Sequence, residues 1–198
     1  MRTTHTLLAL MLLAPSACRS PSMSPPAAKD ASTLGIASDV FKEGETIPLD
    51  SVYSKNGCNG KNLSPDLRID PTSIPTGTKS FALLLHDPDA PMSGGFYHWV
   101  MFDIPADART IEATRPAADI LANGAFQGTN DFDDHGYSGP CPPAGKPHHY
   151  RLSVYALDVA KLGLDPSARG SDVARAMSPE KGPSHILAVG TITALYAR

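Results

Sequence analysis

No Cys-x-x-Cys pair, no glycine-rich phosphate loop and no serine in a nucleophile elbow occurs anywhere in the 198 residues. Zinc ribbons, nucleotide-phosphate cradles and α/β-hydrolase chemistry are therefore not signalled. Basic excess is also missing: the formal net charge is −3 and the isoelectric point near 6.1, which argues against a non-specific nucleic-acid binder. The longest apolar run near the N-terminus, Leu7–Ala14, is too short to span a bilayer as a helix. Internal repeats are absent, and only three cysteines are present. Glycine (16) and proline (19) are plentiful, as suits many strands joined by turns.

The N-terminus reads as a targeting segment. Arg2 precedes the apolar run, and Ser16, Ala17 and Cys18 follow it. Residues 1–17 fit a signal peptide. A small residue before cysteine resembles a bacterial lipoprotein signal, in which Cys18 would be lipidated, although Pro15 stands where that motif usually has Leu. A plain signal peptide cut near Ala17 is the alternative. Loss of residues 1–17 deletes one positive charge, Arg2, and takes the net charge from −3 to −4. Residues 18–33, rich in Ser, Pro and Ala, read as a flexible tether, and residues 34–198 as one folded domain. The expected location is the cell envelope: exported, periplasmic, and held to the membrane by its lipid anchor only. With Cys18 lipidated, Cys58 and Cys141 remain. In an exported protein they are expected to be oxidised to a disulfide, two free thiols being the alternative.

Strands are expected over Gly35–Val40, Thr46–Val52, Ser80–Leu85, His98–Ile104, Tyr150–Leu157 and Ile186–Tyr196. Short helices are expected over Ala117–Leu121 and from Ser171, as N-cap, through Met177. Three polar segments flank the apolar strands: Asp87-Pro88-Asp89-Ala90-Pro91, Tyr97-His98-Trp99-Val100 and Gly139 through Tyr150. Pairing those strands would bring all three to one rim. Asp beside Pro is also ordinary turn chemistry. If the first two strands are neighbours, Asp87 and His98 form a carboxylate–imidazole pair, which favours the imidazolium. Alternation along the last segment puts His148 and Tyr150 on one face and His149 on the other. Donors gathered so would suit a phosphate, sulfate or carboxylate.

These motifs resemble the phosphatidylethanolamine-binding protein family, specifically its bacterial, Raf-kinase-inhibitor-like branch. The resemblance runs from about Leu34 to Tyr196. It rests on Cys58 through Pro65, Asp87 through Pro91, His98-Trp99-Val100, Gln127 through Phe132, and Gly139 through Tyr150. It implies a mostly β fold: a β-sandwich with a large central antiparallel sheet and a few short peripheral helices. It also implies a pocket for the phosphate of a lipid headgroup or a similar small anion, lined by Asp87, His98, Pro143, His148 and Tyr150, with Asp89 supporting the rim. The family often carries Arg where this chain has His149. Animal members add a C-terminal helix near the pocket mouth, whereas this chain ends two residues after its expected last strand, so a more open pocket is implied. The implied function is binding of a phosphorylated or anionic small ligand, with inhibition of a protein partner through the same loops a further role. No cofactor, resident metal or nucleic-acid partner is expected. The competing reading is a hydrolase or metal-dependent enzyme built on Asp87, His98 and His148. It lacks an obvious activated nucleophile: Ser64, the only candidate near the motifs, precedes Pro65 and reads as a turn.

Overall fold

The fold is seen in a computed structural model, which describes residues 32–112, 120–180 and 182–198. Two sheets organise the chain. The larger has six strands: β1 (Ser32–Thr33), β4 (Ser80–Asp87), β5 (Phe96–Pro105), β7 (Phe126–Gln127), β8 (His148–Leu157) and β9 (Ile186–Tyr196), in the order β1-β9-β8-β4-β5-β7. The smaller has three: β2 (Ile36–Ser38), β3 (Leu67–Ile69) and β6 (Thr110–Ile111), in the order β2-β3-β6. All pairs are antiparallel except β1 with β9. That parallel edge makes the large sheet mixed rather than purely antiparallel.

β4 explains the arrangement. Its eight residues are all buried, because the strand is covered on both sides. Phe81, Leu83 and Leu85 join Leu67, Ile69 and Ile111 of the small sheet in the sandwich core. Ala82 and Leu84 face the other way, toward Val173, Ala174 and Met177 of α1 (Gly170–Met177). Burying each large side chain stabilises the fold by about 1.5–3 kcal/mol. Pro88 and Pro91 then end β4, since neither can donate to a ladder.

The long strands appear near their expected places. β4, β5 and β8 each extend a residue or more beyond their apolar runs, toward the polar segments. The strand expected over Thr46–Val52 is not formed. Thr46 makes an isolated bridge to Leu195, and Leu49–Ser51 is a 3-10 turn in which Val52 N–H donates to Leu49 O. Pro48, with no N–H to give a ladder, sits at the break. The second helix is seen, but Arg169 rather than Ser171 is its N-cap residue, and Asp172 Oδ2 accepts from the Arg169 N–H at 3.2 Å. Ser153, which simple alternation with Arg151 would turn outward, is buried against Thr191. Ser32 and Thr33, assigned above to the tether, pair with β9. Of the helix expected over Ala117–Leu121, residues 117–119 lie outside the described residues, as do the signal segment, Cys18 and the tether through residue 31.

Candidate functional site

The three polar segments do meet, at the end of the large sheet where β4 stops and β5 and β8 begin. They wall a cavity of about 200 Å³. Asp87, His98, Pro143, His148 and Tyr150 all line it.

His98 reaches the cavity through a break in strand register. Leu85 pairs with Trp99, and His86 pairs with Tyr97, so His98 stands opposite neither. This bulge reverses the alternation: Trp99 points into the sandwich core, while Tyr97 points toward α1. His98 then lies on the Trp99 side, its ring 5.2 Å from that of Tyr150. A bulge re-aiming a side chain beside a site is a recurrent use of the device. The following loop is pinned to β5: Gly128 N–H donates to Val100 O, Ser138 N–H to His98 O, and Asp131 N–H to Tyr97 O. Fully buried Asn130 braces it by donating to Gly136 O and to Ser138 Oγ, each at 3.0 Å.

The expected Asp87–His98 pair is not what forms. Asp87 Oδ2 meets His148 Nδ1 at 2.7 Å, and Asp87 Oδ1 accepts from Asp89 N–H at 2.9 Å. His98 instead donates from Nδ1 to Ser138 O at 2.8 Å, which fixes its tautomer. Burial pulls the His98 pKa down to about 4, against the upward pull of its backbone partners. It is therefore a neutral imidazole at pH 7, not the imidazolium that a carboxylate partner would have favoured.

Tyr150 is the least satisfied member. Its hydroxyl is buried and has no hydrogen-bond partner within the protein. Burial raises its pKa, and the Asp87 carboxylate nearby raises it further, so the phenol stays protonated. A buried hydroxyl without a partner costs about 1–3 kcal/mol. Such a group at a cavity wall is a donor held ready.

Asp89 lies outside the cavity lining and fastens the rim. Its Oδ2 takes the His149 N–H and meets His149 Nδ1, both at 2.8 Å. Partial burial pushes the Asp89 carboxyl upward, but the bonds from His149 outweigh it and hold the pKa below the ordinary value. His149 thus faces away from the pocket, as alternation required.

Cys58 and Cys141 are joined, with Cα atoms 5.9 Å apart. Cys141 itself lines the cavity, so the bridge ties the pocket wall to the Asn56–Gly60 turn. Gly139 is required here: a Cβ would come within 2.0 Å of Ser51 O.

Sequence reasoning missed the apolar lining: Ala90, Met92, Phe96, Phe132 and Pro142. Phe96 was within reach of it, sitting two residues from His98 on a strand. Phe132 was not, because a loop stacks it on Tyr53 at 4.4 Å and edge-on to Phe96 at 4.6 Å. Ser64 is buried but does not line the cavity. Among the described residues no three His, Cys, Asp or Glu side chains converge as metal ligands. The one serine that the hydrolytic reading considered is therefore not at the cavity.

The geometry agrees with comparisons to known proteins. The phosphatidylethanolamine-binding protein family model matches residues 37–197. A UPF0098 protein of Aquifex aeolicus is 43% identical over 166 residues, covering 83% of this chain and 89% of the relative. YbcL of Escherichia coli K12 is 38% identical over 169 residues, covering 84% and 88%. Its crystal structure, described as that of a new member of the mammalian family, superposes with a TM-score of 0.76 at 37% identity over 83% of this chain and 98% of that one. LppC of Mycobacterium tuberculosis, named as a candidate lipoprotein, is 38% identical over 150 residues, covering 75% and 67%. A sandwich with a cavity at the sheet end, walled by the very motifs that carried the resemblance, and relatives matched over most of their length lead to one conclusion: the chain belongs to the phosphatidylethanolamine-binding protein family.

Proposed function

We propose that this protein is an exported binding protein whose cavity takes a small phosphorylated anion, a lipid headgroup being one source of it. The carrying observation is the buried, unpartnered Tyr150 hydroxyl on the wall of a cavity that also holds the Asp87–His148 pair. The family's name supports a phospho-ligand. About 200 Å³ suits a headgroup-sized molecule rather than a large one. Cys141 and the prolines beside it stiffen the wall, so the site is pre-formed and binding costs little reorganisation. Export rests on the signal-like residues 1–17, and anchoring on Cys18 with residues 18–31 as tether. The disulfide and the likeness to LppC fit that location. An inhibited protein partner would meet the same pocket loops, and phosphoethanolamine would then compete with it.

The test is a titration of the mature chain at pH 5, where the phosphate of both probes carries a single negative charge, with phosphoethanolamine and with inorganic phosphate, followed by the imidazole proton resonances. Saturable shifts at His148, lost in Tyr150→Phe, are expected. The unliganded Tyr150→Phe protein should be as stable as the parent or more so by about 1 kcal/mol, since it loses an unpaired buried hydroxyl. Absence of any shift with either probe would overturn the reading.

A further inference from the structure

The cavity has no lysine or arginine among its lining residues. The titratable groups that face it are Asp87 from β4, His98 from β5, and His148 and Tyr150 from β8. Around them stand His86 on the opposite face of β4, Asp89 and His149 on the rim, Asp131 in the loop after β7, and Arg198 behind the wall, its Nη1 3.9 Å from Cys141 Sγ. Phosphate dianions are ordinarily held by guanidinium forks, ammonium groups or rows of backbone N–H. Among the side chains of the wall, those with hydrogens to give are the Tyr150 hydroxyl and the His148 ring, whose Nδ1 is already committed to Asp87. His98 spends Nδ1 on Ser138 O and, with burial holding its pKa at about 4, brings no positive charge. Asp87 places one carboxylate in the wall, nearly wholly shielded from water with a side chain 3% exposed. Met92, Phe96, Phe132, Pro142 and Pro143 make the rest apolar.

Resting on the phospho-ligand reading above, we propose that the cavity selects phosphate groups carrying a single negative charge and rejects dianions. A phosphodiester enters as it is; a phosphomonoester enters only with a proton on it. The second charge of a dianion would meet no lysine or arginine in the lining, Arg198 behind Cys141 being turned to Asn56 O and the disulfide, and it would face Asp87 across a water-poor space. At a separation of about 6 Å and an effective dielectric near 20, that repulsion weakens binding on the order of a hundredfold. No covalent step is involved: the proton comes from solvent and remains on the ligand.

The experiment compares dimethyl phosphate, a monoanion at every pH used, with methyl phosphate, whose second ionisation lies near pH 6. Affinities of both for the mature chain are measured by calorimetry at pH 8 and pH 5. Both ligands meet the same protein at each pH, so effects of its titration common to both cancel in the ratio, and the count of protons taken up separates protonation of the ligand from protonation of the wall. Size differences between them do not vary with pH. The expected result is a ratio on the order of a hundred in favour of dimethyl phosphate at pH 8, falling at least tenfold by pH 5. Buffer-dependent heats should also show methyl phosphate taking up roughly half a proton more than dimethyl phosphate at pH 8, because a hundredfold rejection of the dianion balances the scarcity of the monoanion two pH units above its ionisation. Asp87→Asn, which keeps the side-chain volume, should narrow the ratio at pH 8. If that variant fails to fold, the parent's pH-dependent ratio still decides. A ratio that does not change with pH, or a dianion bound as tightly as the diester at pH 8, would overturn the selectivity. Binding of neither ligand at either pH would instead overturn the phospho-ligand reading itself.

Discussion

Two carboxylate–imidazole pairs join the same turn to the same strand, two residues apart on one side and one residue apart on the other. Asp87 holds His148 at 2.7 Å, and Asp89 holds His149 at 2.8 Å. Their chemistry is alike, and their surroundings are not. The side chains of the first pair are 3% and 14% exposed, those of the second 42% and 55%. The pleat of β8 makes this difference: neighbouring residues point to opposite faces, so His148 joins Tyr150 at the cavity while His149 meets water. Removed from water, the inner pair holds a donor in place and sets the charge the cavity tolerates. In water, the outer pair is a clasp that keeps the Asp87–Pro91 turn against β8. An identical contact distance thus carries different energies, because burial and not reach sets the local dielectric.

Breaking the inner pair should have the largest effect. Asp87→Ala leaves His148 Nδ1 and the Asp89 N–H without their acceptors, and should destabilise the protein by about 3 kcal/mol in denaturant melts. A cost under 1 kcal/mol would show that the inner pair is as solvated as the outer one. Next comes acid. The His98 pKa is pulled by burial from the ordinary 6.5 to about 4, so between these values the unfolded chain binds a proton that the folded chain refuses. His86, also held low by burial, adds in the same direction. Stability is complete above pH 6.5 and falls as the pH drops toward 4, by ~3 kcal/mol for His98. Melts from pH 7 to pH 4 would measure it, and a flat profile would contradict a neutral, buried His98. The smallest effect belongs to the outer pair. Asp89→Ala should cost less than about 1 kcal/mol, and what it does cost should shrink in high salt. A loss equal to that of Asp87→Ala would erase the contrast between them.

How much of this was legible beforehand depends on the kind of signal. The runs Phe81–Leu85, Val100–Ile104 and Leu152–Leu157 announced strands, because burial on both faces demands apolar side chains at nearly every position, Asp103 and Ser153 being the exceptions. β1, β3, β6 and β7 left no trace: two or three residues carry no period, and such strands exist only because a neighbour offers them a ladder. Thr46–Val52 misled because its apolar content is spent on packing, Ile47 and Val52 being buried without a ladder beyond the bridge at Thr46. At the site, alternation correctly placed His148 and Tyr150 together and His149 apart. It could not place His98, whose direction depends on a one-residue slip against β4. It also could not choose Asp87's partner, since both histidines were within plausible reach until the strand order β8-β4-β5 was known.

The sequence by itself determined the strand-rich composition, the proline-bounded polar segments, the motifs of the family and the residue types at the rim, all properties of short neighbouring stretches. Tertiary structure alone decided that His148 and not His98 meets Asp87, that His98 is neutral, that the Tyr150 hydroxyl has no partner, and that Phe96 and Phe132 close the cavity. The reason is physical. Residue type and period are local, whereas burial, dielectric and hydrogen-bond choice arise only when strands distant in sequence share one core.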